Sequence, residues 1–270
     1  MTDLNPQAQQ MADESMVRTL AAQALTIWPQ EAPLYARYPL PAAPRILDAG
    51  CGTGEASSRL AKLFAQGHVL GVDVIDASLE LARSRYATLA PRLAFEHRSV
   101  YELGLPDGTF DLTVCRHVIH SIPHPDRVLA ELARVTRRGG TLHLIPEDYG
   151  MVHISGGDSL REFWHAGPGE FGKATGTDLY AGRNAFGWLA ALKLESITVD
   201  YVIVDTLRVP RETFADIMVA WRDGYAGPIA EVTSLPLEAT LDAFEKTIAT
   251  IRDPSGYAVW MVPVVSGRIP

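Results

Sequence analysis

The stretch Ile46-Leu47-Asp48-Ala49-Gly50-Cys51-Gly52-Thr53-Gly54-Glu55 decides how the rest of the chain reads. A short apolar run from Arg45 leads into glycines at alternate positions, and from Ser58 to Leu63 the apolar spacing turns helical. That is a strand, a tight loop and a helix. Glycines in such a loop let the backbone turn sharply and approach a ligand, and the amino end of the helix offers free N–H groups. Two carboxylates frame it. Asp48 precedes the glycines, and Asp73 ends the next apolar run about twenty residues on, where a carboxylate can accept both hydroxyls of a ribose.

Outward from this loop the rhythm continues. Val69–Val72 reads as a strand, Ala77–Ala87 as a helix, Leu93–Glu96 and Phe110–Val114 as strands, Val128–Val135 as a helix closed by Gly139-Gly140, and Thr141–Ile145 as a fifth strand. Such alternation builds a parallel sheet with helices on both faces, which binds ligands beyond the carboxyl ends of its strands. Residues 1–44 read as an N-terminal helical cap, with Met16, Leu20, Ala24 and Ile27 at helical spacing and a proline-rich connector from Pro33 to Pro44. After Glu147 the rhythm breaks, and 149–183, rich in Gly, His and aromatic residues, reads as an irregular active-site loop or lid. Residues 184–270 complete the sheet, with strands near Ile197–Val204 and Tyr257–Val265 around a helical insertion over 211–251.

Composition narrows the partners. The 270 residues carry 24 Lys+Arg against 32 Asp+Glu, a formal charge of -8, with 47% hydrophobic and 21% charged residues, which excludes wholesale disorder. A net negative field works against nucleic acid or an anionic membrane, so neither is an expected partner. Cys51 and Cys115 lie far apart and form no CxxC pair, which suits a reducing compartment. Met1–Ser15 is polar and acidic, unlike a signal peptide, and no apolar run reaches the length of a membrane span. The expected location is cytoplasmic.

Spacing within the loop separates the cofactors. A dinucleotide fingerprint, G-x-G-x-x-G, would place glycine where Glu55 stands, and here the third glycine comes one residue early, at Gly54. The run Asp48 to Glu55 instead closely resembles the first motif of class I S-adenosylmethionine-dependent methyltransferases. The resemblance extends through Val69-Leu70-Gly71-Val72-Asp73, Phe110-Asp111-Leu112 and Arg134-Val135-Thr136-Arg137-Arg138-Gly139-Gly140, covering roughly Arg45 to Glu147 in the manner of the ubiquinone-biosynthesis-like small-molecule branch. It implies a Rossmann-like α/β fold: a seven-stranded class I methyltransferase sheet, parallel except for a reversed last strand, with helices on both faces, the N-terminal helical cap and the late helical insertion. It also implies S-adenosyl-L-methionine as cofactor and S-adenosyl-L-homocysteine as product.

Carried over residue by residue, the resemblance sets Gly50, Cys51, Gly52 and Gly54 against the methionine and ribose portions and Asp73 on the ribose hydroxyls. Asp48 would brace the loop or reach the cofactor's amino group through water, and Val74 or Ile75 would lie near the adenine. The family commonly ends its third strand in an acidic residue that meets the adenine; here Ser99 stands in that place, followed by Val100. Cys115 would lie beside the methionine part, Arg116 and His117 would open the rim, and Arg18 from the cap would meet the cofactor's carboxylate.

Methyl transfer from a sulfonium asks the protein to align the nucleophile, exclude water and supply a base where the nucleophile is protonated. Candidates are His117 or His120, and, beyond the fifth strand, Glu147, Tyr149 and His153. Each has an ordinary structural reading too, Glu147 as a helix cap and His153 as a solvated loop histidine. Cys115, His117, His120 and His124 lack further partners at a familiar zinc spacing, so no metal is expected. Trp164, His165, Phe171, Tyr180 and Trp188 line a pocket for a flat substrate or pack a lid, and the insertion, with Trp221 and Tyr225, covers that pocket or forms a homodimer interface. The expected function is methyl transfer to an oxygen or nitrogen of a small aromatic or heterocyclic metabolite. Carbon methylation, an RNA or protein acceptor, and a non-catalytic cofactor-binding module are the alternatives.

Overall fold

The computed structural model describes residues 14–270; residues 1–13, which hold most of the polar lead read above as unlike a signal peptide, lie outside the described residues. Helix α1 (Glu14–Glu31) and a 3-10 turn over Ala32–Arg37 lead to strand β1 (Arg45–Ala49). Then come α2 (Glu55–Leu63), β2 (His68–Asp73), α3 (Asp76–Arg85), β3 (Leu93–His97), β4 (Phe110–Arg116), α4 (Pro125–Val135) and β5 (Thr136–Ile145). The remainder adds β6 (Val152–Ile154), α5 (Asp158–Thr175), α6 (Ala181–Ala191), β7 (Glu195–Asp205), α7 (Arg211–Val232), α8 (Leu237–Arg252) and β8 (Ala258–Arg268).

One mixed sheet results, ordered β3-β2-β1-β4-β5-β8 with parallel pairing through β5 and β8 reversed against it. β7 runs antiparallel along β8 from Asp205↔Val259 to Glu195↔Arg268. β6 pairs with the start of β8, Val152 opposite Trp260, so the sheet has one short strand more than the seven expected. The central strands β1 and β4 are almost continuously buried, as strands covered by helices on both faces must be. α2 and α3 cover one face around Leu60, Leu79 and Phe95, and α4 and α6 the other around Leu129, Leu132 and Leu189. A third cluster joins α1, α5, α7 and α8 to the late strands through Ile27, Trp164, Phe214 and Trp260.

Two expectations are corrected. Most of 149–183 is helical rather than irregular: Leu160, Phe163, Trp164, Gly167 and Phe171 keep helical spacing and bury one face of α5 despite Pro168 inside it. Its glycines and proline read as breakers, and packing against α7 and α8 overrides them. Gly139 and Gly140 do not close α4, which ends at Val135; they sit inside β5, next to a register shift against β4.

Helix α1 is fastened to the sheet by side chains. Gln30 Nε2 donates to the Ile203 carbonyl at 2.8 Å and Ile203 N–H donates back to Gln30 Oε1 at 3.1 Å, so one amide pairs with the edge strand β7. Beside it, Glu31 is fully buried and forms an ion pair with Arg116 at the end of β4, 2.9 Å apart. Tyr35 donates to Glu31 at 2.6 Å, and His143 lies 3.2 Å from the same oxygen. Burial alone would raise this carboxyl, but Arg116 and the hydrogen bonds from His143 and Tyr35 outweigh it and bring it down to about 2. Among the described residues no helix is long and apolar enough to cross a membrane.

Candidate active site

The glycine loop lies where the expectations put it, beyond the carboxyl ends of β1 and β2. Gly50 has φ +75°, and a Cβ there would come within 2.3 Å of Val118 Cγ2, so only glycine fits. Gly54 caps α2 in a left-handed conformation, and a side chain on it would strike Phe95 at 2.7 Å; it permits close helix–sheet packing and does not line the cavity. The cavity over the loop encloses about 150 Å³. Gly50, Gly52 and Asp73 form its floor, Val74, Ile75, Ser99 and Val100 one end, and Arg116, His117 and Val118 the other.

Asp73 accepts from the backbone N–H of Gly52 at 2.8 Å, Val74 at 2.8 Å and Ile75 at 3.0 Å. An ionised carboxylate has about four acceptor sites, so one remains for the cavity. Burial raises the Asp73 pKa, and the three N–H groups offset only part of that.

Asp48 is buried beneath the loop, where Ser57 Oγ donates to it at 2.5 Å. Burial pushes its carboxyl up to about 6, with the Ser57 bond offsetting part of the rise. Because the folded value lies above the unfolded one near 3.8, ionising Asp48 costs stability as pH climbs from about 4 to about 6, and the full cost of about 3 kcal/mol persists above that. Asp48→Asn is therefore expected to melt higher than wild type at pH 7.5 and to lose that advantage near pH 4. Equal melting temperatures at both pH values would show that Asp48 ionises without penalty.

A second, smaller cavity of about 30 Å³ lies on the α1 side of the loop, lined by Leu20, Gln23, Asp48, Cys51, Thr53 and Arg116, among others. Leu20 and Gln23, and not Arg18, line it from α1. Arg18 itself turns outward and pairs with Asp223 on α7 at 3.1 Å. The signal missed was the polar stripe Thr19, Gln23 and Thr26 on a buried helix face. Cys115 is fully buried in the core and lines neither cavity.

His117 borders both cavities. It is a non-glycine residue at φ +58°, held there by its N–H to the Ile145 carbonyl at 2.9 Å and by Nδ1, 2.6 Å from Glu147 Oε1. Burial pushes Glu147 up, but His120 and the hydrogen bond from His117 hold its carboxyl below the usual range, so it is an acceptor at neutral pH. Nδ1 is then the donor of this bond, and in the neutral ring Nε2 is the acceptor. Nε2 is buried and has no partner among the described residues. Gln23 Nε2 donates to the same Glu147 oxygen at 3.5 Å. Burial drives the neighbouring His120 down to about 4, so it is neutral, and its ring stands edge-on to Tyr149 at 5.8 Å.

The Tyr149 hydroxyl approaches the Glu147 carboxylate, and its ring faces a third cavity of about 50 Å³ built by α5, α7 and α8. Trp164, Phe171, Trp221 and Tyr225 line that cavity, and Trp188 packs instead against the core cluster that holds Leu129 and Leu189. His153 and His165 are exposed and border a separate open groove, apart from the His117–Glu147 pair. Tyr180 packs against the guanidinium of Arg183, which Asp148 holds bidentately. Among the described residues no three His, Cys, Asp or Glu converge to hold a metal ion.

A family model described as a methyltransferase domain matches residues 46–140, from β1 to the start of β5. Residues 46–140 are a class I methyltransferase domain. The methyltransferase domain is similar to part of 27-O-demethylrifamycin SV methyltransferase from Amycolatopsis mediterranei (strain S699), 36% identical over 108 residues that make up 39% of this chain and 39% of that one. The chain spans between 25% and 49% of the length of the curated relatives it matches. Around the methyltransferase domain the likeness is one of fold. Phosphoethanolamine N-methyltransferase 2 of Haemonchus contortus, solved with phosphomonomethylethanolamine and S-adenosylhomocysteine, superposes with a TM-score of 0.57 at 17% identity, over 90% of this chain and 53% of that one. The [4+2]-cyclase SpnF gives 0.56 at 21% identity, over 88% and 80%. A cyclase on this fold shows that the architecture alone does not fix the reaction.

Proposed function

We propose that the protein transfers the methyl group of S-adenosylmethionine to a hydroxyl oxygen of a small acceptor, with His117 as general base. The observation that carries this is the buried His117–Glu147 pair, whose Nε2 has no partner among the described residues, beside the glycine-loop cavity. The residues suit a nucleoside with an amino-acid tail: a carboxylate with an acceptor site to spare at Asp73, apolar contacts at Val74, Ile75 and Val100, and glycines where a Cβ would intrude. When bound, the cofactor supplies an electrophilic methyl on a cationic sulfur.

Glu147 fixes the His117 tautomer so that Nε2 accepts a proton. With a methyl donor bound, the acceptor's O–H proton would pass to Nε2 as its oxygen took the methyl group, the electron pair of the broken carbon–sulfur bond staying with the donor. Macromolecules are less well served: the charge of -8 disfavours nucleic acid, and α5, α7 and α8 cover the aromatic cavity.

Calorimetric titration with S-adenosylmethionine, S-adenosylhomocysteine and NAD tests the cofactor reading. The first two are expected to bind and NAD is not. Asp73→Ala is expected to weaken S-adenosylhomocysteine by about 1.5–3 kcal/mol, the scale of a hydrogen bond to a charged group. Unchanged affinity would remove Asp73 from the ribose, and binding of NAD alone would overturn the assignment.

A further inference from the structure

We infer that Arg116 holds the carboxylate of the cofactor's amino-acid tail in the small cavity between α1 and the glycine loop, with the Thr53 hydroxyl beside it. This rests on the methyl-transfer reading and assigns the end of the cofactor for which the sequence offered Arg18. Arg116, Leu20, Gly50 and His117 line both the cavity over the loop and the smaller one, so a tail that leaves the larger space past Gly50 enters the smaller. The smaller encloses about 30 Å³. One water-sized group needs about 10–15 Å³, so there is room for two, the pair of oxygens that a carboxylate brings.

Two residues on its walls carry a buried donor with no partner among the described residues: Arg116 at Nε and Thr53 at Oγ1. Thr53 is 1% exposed and Arg116 9%, so bulk water does not serve these atoms, and leaving them unpaired is costly. Arg116 Nη2 stands 2.9 Å from Glu31 Oε2, and a guanidinium placed there only as counter-charge to Glu31 would leave Nε unexplained. Glu55 and Ala56 also line the cavity, in the first turn of α2, where helix N–H groups lack partners within the helix and its dipole favours an anion. A lone anion is nevertheless a poor fit. Asp48 lines the same cavity, and Glu31 lies against Arg116. An amino-acid tail answers both signs of charge, because its ammonium sits on the carbon next to its carboxylate. Arg18 does not compete, since Asp223 holds it.

The test is calorimetry of the full chain at pH 7.5 with S-adenosylhomocysteine and its decarboxylated analogue, which keeps the amine and lacks only the carboxylate. Wild type is expected to prefer the complete compound by about tenfold or more, the scale of a hydrogen bond between charged groups. Arg116→Met alone would strand the buried Glu31, so the variant is Arg116→Met with Glu31→Gln, and its preference should fall by more than about threefold. Glu31→Gln alone keeps the guanidinium and should keep the preference. Thr53→Val, which removes the hydroxyl at nearly constant shape, should lower it, and this variant decides the matter if the double variant does not fold. A wild-type preference below about tenfold, a double variant or Thr53→Val that keeps it in full, or Glu31→Gln that loses it, overturns the inference. Failure of wild type to bind S-adenosylhomocysteine at all would instead sink the methyl-transfer reading, so the two failures are distinguishable.

Discussion

His117→Gly is expected to lower methyl transfer by about 10²–10⁴-fold while leaving S-adenosylhomocysteine affinity within a factor of about three, the signature of a lost general base rather than a lost binding contact. Glycine is the informative replacement because His117 sits at φ +58°, where glycine is unstrained, so the backbone at the end of β4 need not move. Free imidazole is expected to restore part of the rate by occupying the vacated space beside Glu147. Glu147→Gln provides the second reading. A glutamine amide can donate to Nδ1 and favour the tautomer protonated at Nε2, so turnover should fall although the imidazole remains. Steady-state rates with S-adenosylmethionine and whichever small hydroxyl compound the wild type methylates check both. Turnover equal to wild type in His117→Gly would return His117 to the role of a packed rim residue.

The second large effect lies in stability. Glu31→Gln leaves the Arg116 guanidinium buried without its counter-charge, and breaking one side of a buried ion pair typically costs about 3–5 kcal/mol. For a chain of this size that corresponds to a melting temperature roughly 5–10 °C lower at pH 7. The pH dependence has a definite sign. The Glu31 carboxyl is depressed to about 2 in the fold from 4.5, so its contribution is fully present above 4.5 and is lost as pH falls through 2. Melts of wild type and variant should therefore converge toward pH 2. The double variant Glu31→Gln with Arg116→Met should recover most of the loss at pH 7. Coincident melts of wild type and Glu31→Gln at neutral pH would show that the pair does not hold α1 to the sheet.

The core of the molecule was readable because its signals are local. The apolar run before Gly50, the three glycines and Asp73 place β1, α2 and β2 with no knowledge of distant contacts, and strand alternation carries the pattern to β5. Beyond Glu147 the deciding contacts are non-local. Helix α5 contains Gly167, Pro168 and Gly169, residues that oppose a helix in isolation, and it forms because Trp164 and Phe163 find Phe244 on α8. The candidate site divides the same way. Asp48 and Asp73 follow from motif spacing, and Ser99 and Val100 from the family resemblance. His117 and Glu147 could be named from strand ends, but their contact spans 30 positions and only the fold makes it. The direction of Arg18 is not legible in the sequence, because a surface arginine can turn either way on its helix; Asp223 draws it outward.

The amide of Gln30 has a consequence for how copies of this protein behave together. β7 is an outer strand whose free N–H and C=O groups could otherwise template a strand from a neighbouring molecule. By offering one donor and one acceptor to Ile203, Gln30 imitates a strand residue and closes the row near its carboxyl end. A second chain cannot extend the sheet past that point without prising the cap helix away. The same helix that roofs the glycine loop is thus also a guard against runaway sheet-to-sheet joining at high concentration.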